Sequence, residues 1–349
     1  MRWALDPEQL MLQDALAGWL RRVATPAAVR GWLDASDSSA FDSALTQEGW
    51  HALGTAEQRG GQGGGLLELA LAAEQFARVA VPSSTWMATV LALPALPDDA
   101  AESALEEGLR LALAVRADRP IGAADLTADA GTVSGRVDLV LGGDRADRFV
   151  VPAGGRLHLV DAADATVTTT GLLDRSRVAA TVRFDGAPAE VLDIDAEDLL
   201  AAAGLRSAVL VAADALGAAS RMLELAVEYS GQRTQFGVAI GSFQAVKHAA
   251  AVMLVAEEAS RSLVYYAAAS LDAGLPEAPL HAAAAKAQVT RAAVDSAESA
   301  LTLHGAIGYT WEHDLQLFYK RTKLDLVLSG APTVWNDRIA DALELVAAS

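Results

Sequence analysis

The segment "VEYSGQRTQFGVAIGSFQAVKHAA", residues 227–250, interrupts a sequence that is otherwise typical of one long apolar helix. Upstream of it, apolar residues recur every three or four positions, a spacing that places them on one helix face. They are Leu205, Val209, Ala212, Leu216, Ala219, Leu223 and Val227. Gly237 and Gly241 are typical turn residues. The segment therefore predicts a junction between two helices of a bundle.

Three side chains in this junction are not needed for a turn: Arg233, Gln235 and Phe236. A guanidinium can grip a phosphate through two parallel hydrogen bonds, and an aromatic ring beside it can pack on a flat ligand. These residues are candidates for binding a phosphate-bearing ligand. The alternative is a salt bridge between helices together with one core aromatic.

The whole chain divides into three segments that differ in composition and hydrophobic pattern. Residues 1–108 and 196–349 are rich in alanine and leucine, which favour helices. Residues 109–195 contain short runs with valine and threonine between glycine turns, such as "GTVSGRVDLVL" and "DRFVVPAGGRLHLVD", a pattern typical of antiparallel strands. The sequence predicts a mainly α protein with a β domain of residues 109–195 inserted between an N-terminal helical domain and a C-terminal helical bundle.

Composition excludes several classes of function. The net charge of −18 and the pI near 4.7 argue against a nucleic-acid partner, which needs a basic surface. The chain has no cysteine, so disulfides, thiolate metal sites and cysteine nucleophiles are excluded. The six histidines lack metal-ligand spacing, and no metal is expected. No signal peptide or membrane span is predicted, so we expect a cytoplasmic protein.

Two C-terminal segments resemble a known family. "YSGQRTQFGVAIGSFQAVKHAAAVM" resembles the Y-x-x-x-R-x-x-F-G-x-x-I-x-x-F-Q segment of the flavin-dependent acyl-CoA dehydrogenases. "LHGAIGYTWEHDLQLFYKR" resembles their H-G-G-x-G-Y-T-x-E-x-x-L-x-x-Y-x-R segment. Residues 48–82 and 177–192 resemble the family's N-terminal helical domain and the closing strand of its β domain. The resemblance implies that family's architecture, in which a C-terminal four-helix bundle follows the β domain.

The resemblance also implies a cofactor, FAD, shared across a subunit interface. In the family, the arginine and phenylalanine of the first segment reach the pyrophosphate and adenosine of a neighbouring subunit's FAD. By position this implicates Arg233, Gln235 and Phe236. The second segment contributes Thr302, Gly305 and Ala306 to the same half of FAD. Alanine at 306 and threonine at 302 replace the family's usual glycine and glutamine, which weakens this contact.

The usual catalytic base is missing. The family removes an α-proton from an acyl thioester while a β-hydride passes to flavin, and the base is a glutamate followed by glycine. Here Ser329 precedes Gly330, and a serine without a partner base cannot take that proton. The family's alternative position falls near Ser207. The nearest acids are Asp214 and Asp325, for which we favour structural roles. Asp214 can pair with Arg221, and catalysis by either acid stays open.

The part of the family that holds the flavin ring is also missing. Residues 114–151 contain neither the T-E-P-x-x-G-S-D loop nor the later Trp-x-x-Ser/Thr strand. The sequence therefore predicts the base-lacking subunit of a heteromeric acyl-CoA dehydrogenase. Its expected partners are an acyl-CoA substrate, a related subunit with the base, and an electron-transferring flavoprotein, in a dimer or tetramer. Two alternatives stay open: a self-sufficient homo-oligomeric flavoenzyme using Asp214 or Asp325, and a non-catalytic scaffold that binds acyl-CoA or FAD.

Overall fold

The computed structural model describes residues 4–343, and this part of the chain folds into two compact units. One unit contains the described residues up to Arg22, then Ala70–Ala80, then the chain from Val209 onward. The other contains Val23–Leu69 and Val81–Ala208. The predicted fold class is confirmed, because helices precede and follow a β region along the chain.

Long helices make up the unit that carries the C-terminal part of the chain. They are α1 (Pro7–Val23), α8 (Gln244–Asp272), α9 (Ala278–His304), α10 (Leu315–Asp325) and α11 (Pro332–Ala342), together with α4 (Leu66–Arg78) from Ala70 and α7 (Ala196–Gln232) from Val209. One core cluster of this unit joins α7 residues Met222 and Ala226 to Leu301 of α9 and Phe318 of α10. Alanine is frequent in the cluster, so the helix axes lie close together.

Helix α7 is long enough and apolar enough to cross a membrane by length and composition. However, 78% of its most apolar window is buried inside the structure. Leu210, Val211 and Leu216 have zero or 1% exposure. This burial is typical of a core helix, whose apolar residues pack against protein rather than lipid.

A close approach of two helices in this unit occurs at Gly217. A Cβ at this position would lie 2.1 Å from the backbone oxygen of Glu74 on α4. Backbone cannot swing aside, so we expect Gly217→Ala to lower the free energy of unfolding by about 1–3 kcal/mol.

Gly231, on the same helix, is the matched control, because a Cβ there meets nothing within 4 Å. Gly231→Ala is expected to leave stability unchanged or raise it by up to about 1 kcal/mol. Denaturant unfolding of both variants measures the difference, and equal effects at the two positions would contradict the close approach.

The other unit combines short helices with two sheets. The helices are α2 (Pro26–Ala35), α3 (Ser39–Glu48), α5 (Ser84–Ala92) and α6 (Asp98–Glu106). One sheet has the order β1 (Leu111–Leu113), β4 (Arg148–Ala153), β5 (Arg156–Asp161), β8 (Glu190–Leu192). The second has the order β2 (Thr127–Asp129), β3 (Thr132–Leu141), β7 (Ala179–Pro188), β6 (Ala165–Thr170). Pairing is antiparallel as predicted, except that β1 and β4 are parallel.

Apolar side chains from both sheets fill a common core. Phe149 of β4 and Phe184 of β7 meet edge to face, with ring centroids 5.8 Å apart, and both are buried. Val133, Val137 and Val182 belong to the same cluster. Strand β6 alternates between partly buried and exposed positions, whereas β4 and β5 are buried at nearly every position and so on both faces.

Candidate functional site

The junction after α7 is a tight hairpin. Strands β9 (Thr234–Gln235) and β10 (Val238–Ala239) pair antiparallel, and the turn between them has φ 51° at Phe236 and 83° at Gly237. Left-handed backbone of this kind favours glycine, which explains Gly237. The Ile240 N–H donates to the Arg233 carbonyl at 2.8 Å. The hairpin therefore has a defined backbone from which its side chains project.

Those side chains lie on the surface. Phe236 is 93% exposed and makes an edge contact with Phe243, with ring centroids 6.2 Å apart. Arg233 and Gln235 are exposed, and Arg233 forms no salt bridge with any residue in 4–343. The alternative of an interhelical salt bridge and a core aromatic is therefore wrong. An exposed guanidinium and an exposed ring have the chemistry to take a phosphate and a flat base.

A ring contact links this hairpin to the end of α9. Tyr229, one turn before Arg233, stacks on buried His304 with centroids 4.7 Å apart and an interplanar angle of 20°. His304 is followed by Gly305, whose φ is 64°. Because the two rings join the ends of α7 and α9, the hairpin and the turn of residues 302–306 belong to one region of this unit.

Thr302, Gly305 and Ala306 are all exposed in that region. The Thr302 hydroxyl donates to the Glu298 carbonyl at 2.9 Å, so its proton is occupied by its own helix. We call the set Arg233, Gln235, Phe236, Thr302, Gly305 and Ala306 the clamp surface. Its exposed guanidinium and exposed flat ring have chemistry that fits the nucleotide half of FAD, whereas the Gly305 N–H is donated to the Leu301 and Thr302 carbonyls of α9.

Ser329, the residue at the family's base position, lies in a turn between α10 and α11. It is 5% exposed, with φ 56°, and Gly330 follows with φ 96°. The Trp335 indole N–H donates to the Ser329 carbonyl at 2.8 Å. The turn is thus held from inside the protein, and its side chain is a neutral hydroxyl.

Asp214 lies in the core as one half of an ion pair. Arg321 Nε and an Nη donate to its two carboxylate oxygens at 2.7 and 2.8 Å, and the two side chains are 1% and 0% exposed. The predicted partner, Arg221, is wrong: Arg221 pairs instead with Glu224 at 2.8 Å and Glu228 at 3.6 Å. The Arg221 side chain is 32% exposed, two turns further along α7 than Asp214, and it pairs with carboxylates of its own helix.

Asp325, the other candidate acid, is the last residue of α10 and has zero exposure. Its carbonyl accepts a hydrogen bond from the Lys286 ammonium at 3.1 Å, and the Asp325 charge acts on the pKa of that lysine. Both acids therefore lie away from solvent, with cations beside them. Asp214 has the geometry of a structural ion pair, whereas the Lys286 hydrogen bond at Asp325 is made to the backbone carbonyl.

Aromatic residues close in sequence to the clamp surface differ in exposure. Tyr309 and Trp311 are 74% and 62% exposed, whereas Phe318 is buried. The Lys320 ammonium lies 3.5 Å from the Trp311 ring centroid. No periodicity in residues 305–313 signals this exposure, because the segment is a short irregular helix and turn.

Helix α8 adds an exposed apolar face that sequence periodicity alone did not locate. Val252, Leu254 and Val255 are 69%, 50% and 70% exposed. Tyr265 and Tyr266 differ in exposure, at 6% and 37%. Exposed apolar residues grouped in this way mark a surface for another protein. The face lies on the helix that directly follows the hairpin with Arg233.

In the other unit, residues 114–125 occupy the position of the family's flavin loop by sequence order. Arg116 pairs with Asp118 at 2.6 Å and lies 3.8 Å from Asp138. The Ala117 N–H donates to the Leu139 carbonyl at 3.0 Å. These polar groups are engaged with the loop itself and with β3.

Comparison with known proteins agrees with the motifs. Residues 205–344 match the family description "Acyl-CoA dehydrogenase, C-terminal domain", and residues 6–103 match "Acyl-CoA dehydrogenase, N-terminal domain". The chain is 33% identical over 323 residues to acyl-CoA dehydrogenase IpdE2 of Mycobacterium tuberculosis, covering 90% of each protein.

Two solved structures share the fold. The ChsE4-ChsE5 complex from Mycobacterium tuberculosis matches with a TM-score of 0.86 at 24% identity, covering all of both chains. Butyryl-CoA dehydrogenase from Megasphaera elsdenii matches with a TM-score of 0.86 at 23% identity, covering 98% of this chain and 100% of that one.

Proposed function

Because the chain belongs to the acyl-CoA dehydrogenase family, we propose that it is the base-lacking subunit of a heteromeric acyl-CoA dehydrogenase. Members of the family are oxidoreductases that act on acyl-CoA with FAD as cofactor. In this proposal, this chain binds the nucleotide half of FAD. The proposal assigns the base and the flavin cradle to a related partner subunit, in a dimer or tetramer.

The observation that carries the proposal is a contrast between two groups of residues. Arg233 and Phe236 are exposed on an ordered hairpin, with no salt bridge at Arg233 within residues 4–343. Position 329 has a hydroxyl where the family's base stands, and Asp214 is occupied by Arg321. A surface suited to a nucleotide is thus present in a chain whose candidate acids are buried in structural contacts.

The chemistry follows from these roles. Bound FAD supplies the acceptor for the β-hydride of the acyl-CoA. Arg233 would hold the pyrophosphate through charge-assisted hydrogen bonds, and Phe236 would pack on the flat base. Taking the α-proton needs a carboxylate close to the acyl group, which the partner would supply. The reduced complex would pass its electrons to an electron-transferring flavoprotein.

The exposed face of α8 supports a partner subunit. Val252 and Val255 would each remain largely in water in a lone chain, at a cost of roughly 1.5–3 kcal/mol per side chain that burial would remove. The ChsE4-ChsE5 complex, which shares the fold, is itself an assembly of two different proteins. A related subunit that covers α8 would also bring its nucleotide to the clamp surface.

The test compares the chain alone with a co-expressed pair. The second protein is an acyl-CoA dehydrogenase chain from the same genome that retains a glutamate at the position aligned with Ser329. We expect the chain alone to carry little FAD, and the pair to copurify as a yellow complex that an acyl-CoA bleaches. Flavin absorbance and FAD per chain after gel filtration measure this.

Two outcomes would favour the alternatives. If the chain purified alone carries stoichiometric FAD and an acyl-CoA bleaches that flavin, the chain is a self-sufficient enzyme. A lone chain that binds acyl-CoA, with no flavin in any complex, is the scaffold. Either result ends the proposal.

A further inference from the structure

Lys286, in the middle of α9, is a lysine with zero exposure. Its ammonium donates to three backbone carbonyls: Gly330 at 2.9 Å, Asp325 at 3.1 Å and Leu326 at 3.4 Å. An ammonium has three protons, so all of them are used. These carbonyls belong to the end of α10 and to the turn that carries Ser329.

The four bonds around this turn form one arrangement. Helix ends leave carbonyls without partners, and a cation there satisfies them and faces the negative end of the helix dipole. Trp335, with zero exposure, donates to the Ser329 carbonyl from the α11 side. Carbonyls 325, 326, 329 and 330 are thus all held by buried donors. The arrangement fixes Ser329 in a left-handed backbone that a non-glycine residue adopts only under constraint.

A charged Lys286 ammonium at this buried position destabilises the folded state. Burial lowers the pKa of Lys286 to about 8, with the Asp325 charge of α10 acting in the opposite direction. The Arg338 guanidinium of α11 is a further charged group, 4.6 Å from the Trp335 ring. Because the folded pKa is below the usual value for lysine, the unfolded chain binds more protons between about pH 8 and 10.5. The penalty is therefore largest below pH 8 and fades as pH rises through that window.

We propose that Lys286 is a positioning residue that fixes the Ser329–Gly330 turn in one backbone conformation. The inference rests on the proposed function for the meaning of position 329, where the family's base stands. The contacts themselves involve only residues of this chain. A buried charge that lowers the free energy of unfolding is expected at sites where a fixed position of the backbone is needed for function. With the turn held, residue 329 has one location relative to α10 and α11.

The test needs neither FAD nor a partner, so its failure is distinguishable from failure of the proposed function. Lys286→Met keeps the length of the side chain and removes all three donors. The matched control is Lys323→Met on α10, whose ammonium is partly exposed and pairs with Glu298 at 2.6 Å. Hydrogen exchange of the Leu328 and Gly330 amides, and the indole N–H resonance of Trp335, report on the turn.

We expect Lys286→Met to speed exchange at Leu328 and Gly330 by roughly tenfold or more, with the middle of α9 unchanged. In the native chain the Trp335 indole resonance is expected to titrate with a midpoint near the Lys286 pKa of about 8, and to stop doing so in Lys286→Met. Lys323→Met should show neither change.

Several results would overturn the inference. These are unchanged exchange at the turn, an equal rise throughout the chain, or the same effect in Lys323→Met. If Lys286→Met does not fold, the milder Lys286→Gln, which keeps an amide donor on a shorter side chain, decides: unchanged exchange at Leu328 and Gly330 overturns the positioning role, and faster exchange confined to the turn supports it.

Discussion

Replacing Arg233 with alanine is expected to lower the affinity of the co-expressed complex for FAD by roughly ten- to a hundredfold. The reason is that a charge-assisted hydrogen bond to phosphate contributes about 1.5–3 kcal/mol, and the variant loses it. Arg233 is exposed and forms no salt bridge within residues 4–343, so its removal breaks no structural contact of that kind. Stability of the lone chain is expected to stay within about 0.5 kcal/mol.

The measurement is FAD retained per complex, together with flavin fluorescence in a titration of the stripped complex. Arg291→Ala is the matched control, because Arg291 is also an exposed arginine, 65% by side chain, in a weak pair with Asp295. FAD retention equal to that of the control would show that Arg233 does not hold the nucleotide. A complex that fails to assemble would instead assign Arg233 to the subunit interface, and gel filtration separates the two results.

Phe236 is the second exposed group of the same hairpin. Its ring is 93% exposed and is supported by Phe243 alone among the ring contacts of the described residues. A single exposed ring is common on protein surfaces, but this one shares a short hairpin with an exposed arginine. Both side chains are therefore accessible to a ligand or a partner.

The sequence predicted the order of helices and strands because local patterns decide it. The period-two alternation in residues 132–141 and the three-four spacing in α7 can be recognised from local sequence alone, without knowledge of distant contacts. The turn at the helix junction was also predictable from sequence, because Gly237 is a residue type that favours left-handed backbone. The parallel pairing of β1 with β4 was not, because it joins residues 111 and 148 through a long connection.

The pairing of buried charged residues could not be predicted from the sequence. Glu74 is 1% exposed and takes hydrogen bonds from Arg261 at 2.6 Å and from the Tyr265 hydroxyl at 2.7 Å. These partners lie 187 and 191 positions away in the chain. Local spacing suggested Arg221, two turns along α7, for Asp214, yet Arg321 of α10 binds that carboxylate and Arg221 pairs with Glu224 instead. Which charges meet depends on helix packing, and packing is a property of the whole fold.

That core pair yields the largest stability effect we expect. Arg321→Met leaves the Asp214 carboxylate at zero exposure without the guanidinium that binds both of its oxygens, and breaking such a buried pair costs about 3–5 kcal/mol. Asp214→Leu has a similar cost, because it leaves the Arg321 charge in the core. The double variant removes both charges and is expected to recover most of the loss. Denaturant unfolding of the four proteins gives the coupling energy directly.

The double variant also decides what Asp214 does. If it folds and the co-expressed complex still bleaches with acyl-CoA at the native rate, Asp214 is structural and the base lies elsewhere. If it folds, binds FAD and has lost the reaction, Asp214 takes the proton and the chain supplies its own base. A small coupling energy, below about 1 kcal/mol, would contradict the buried ion pair itself, because only solvent-exposed pairs are worth so little.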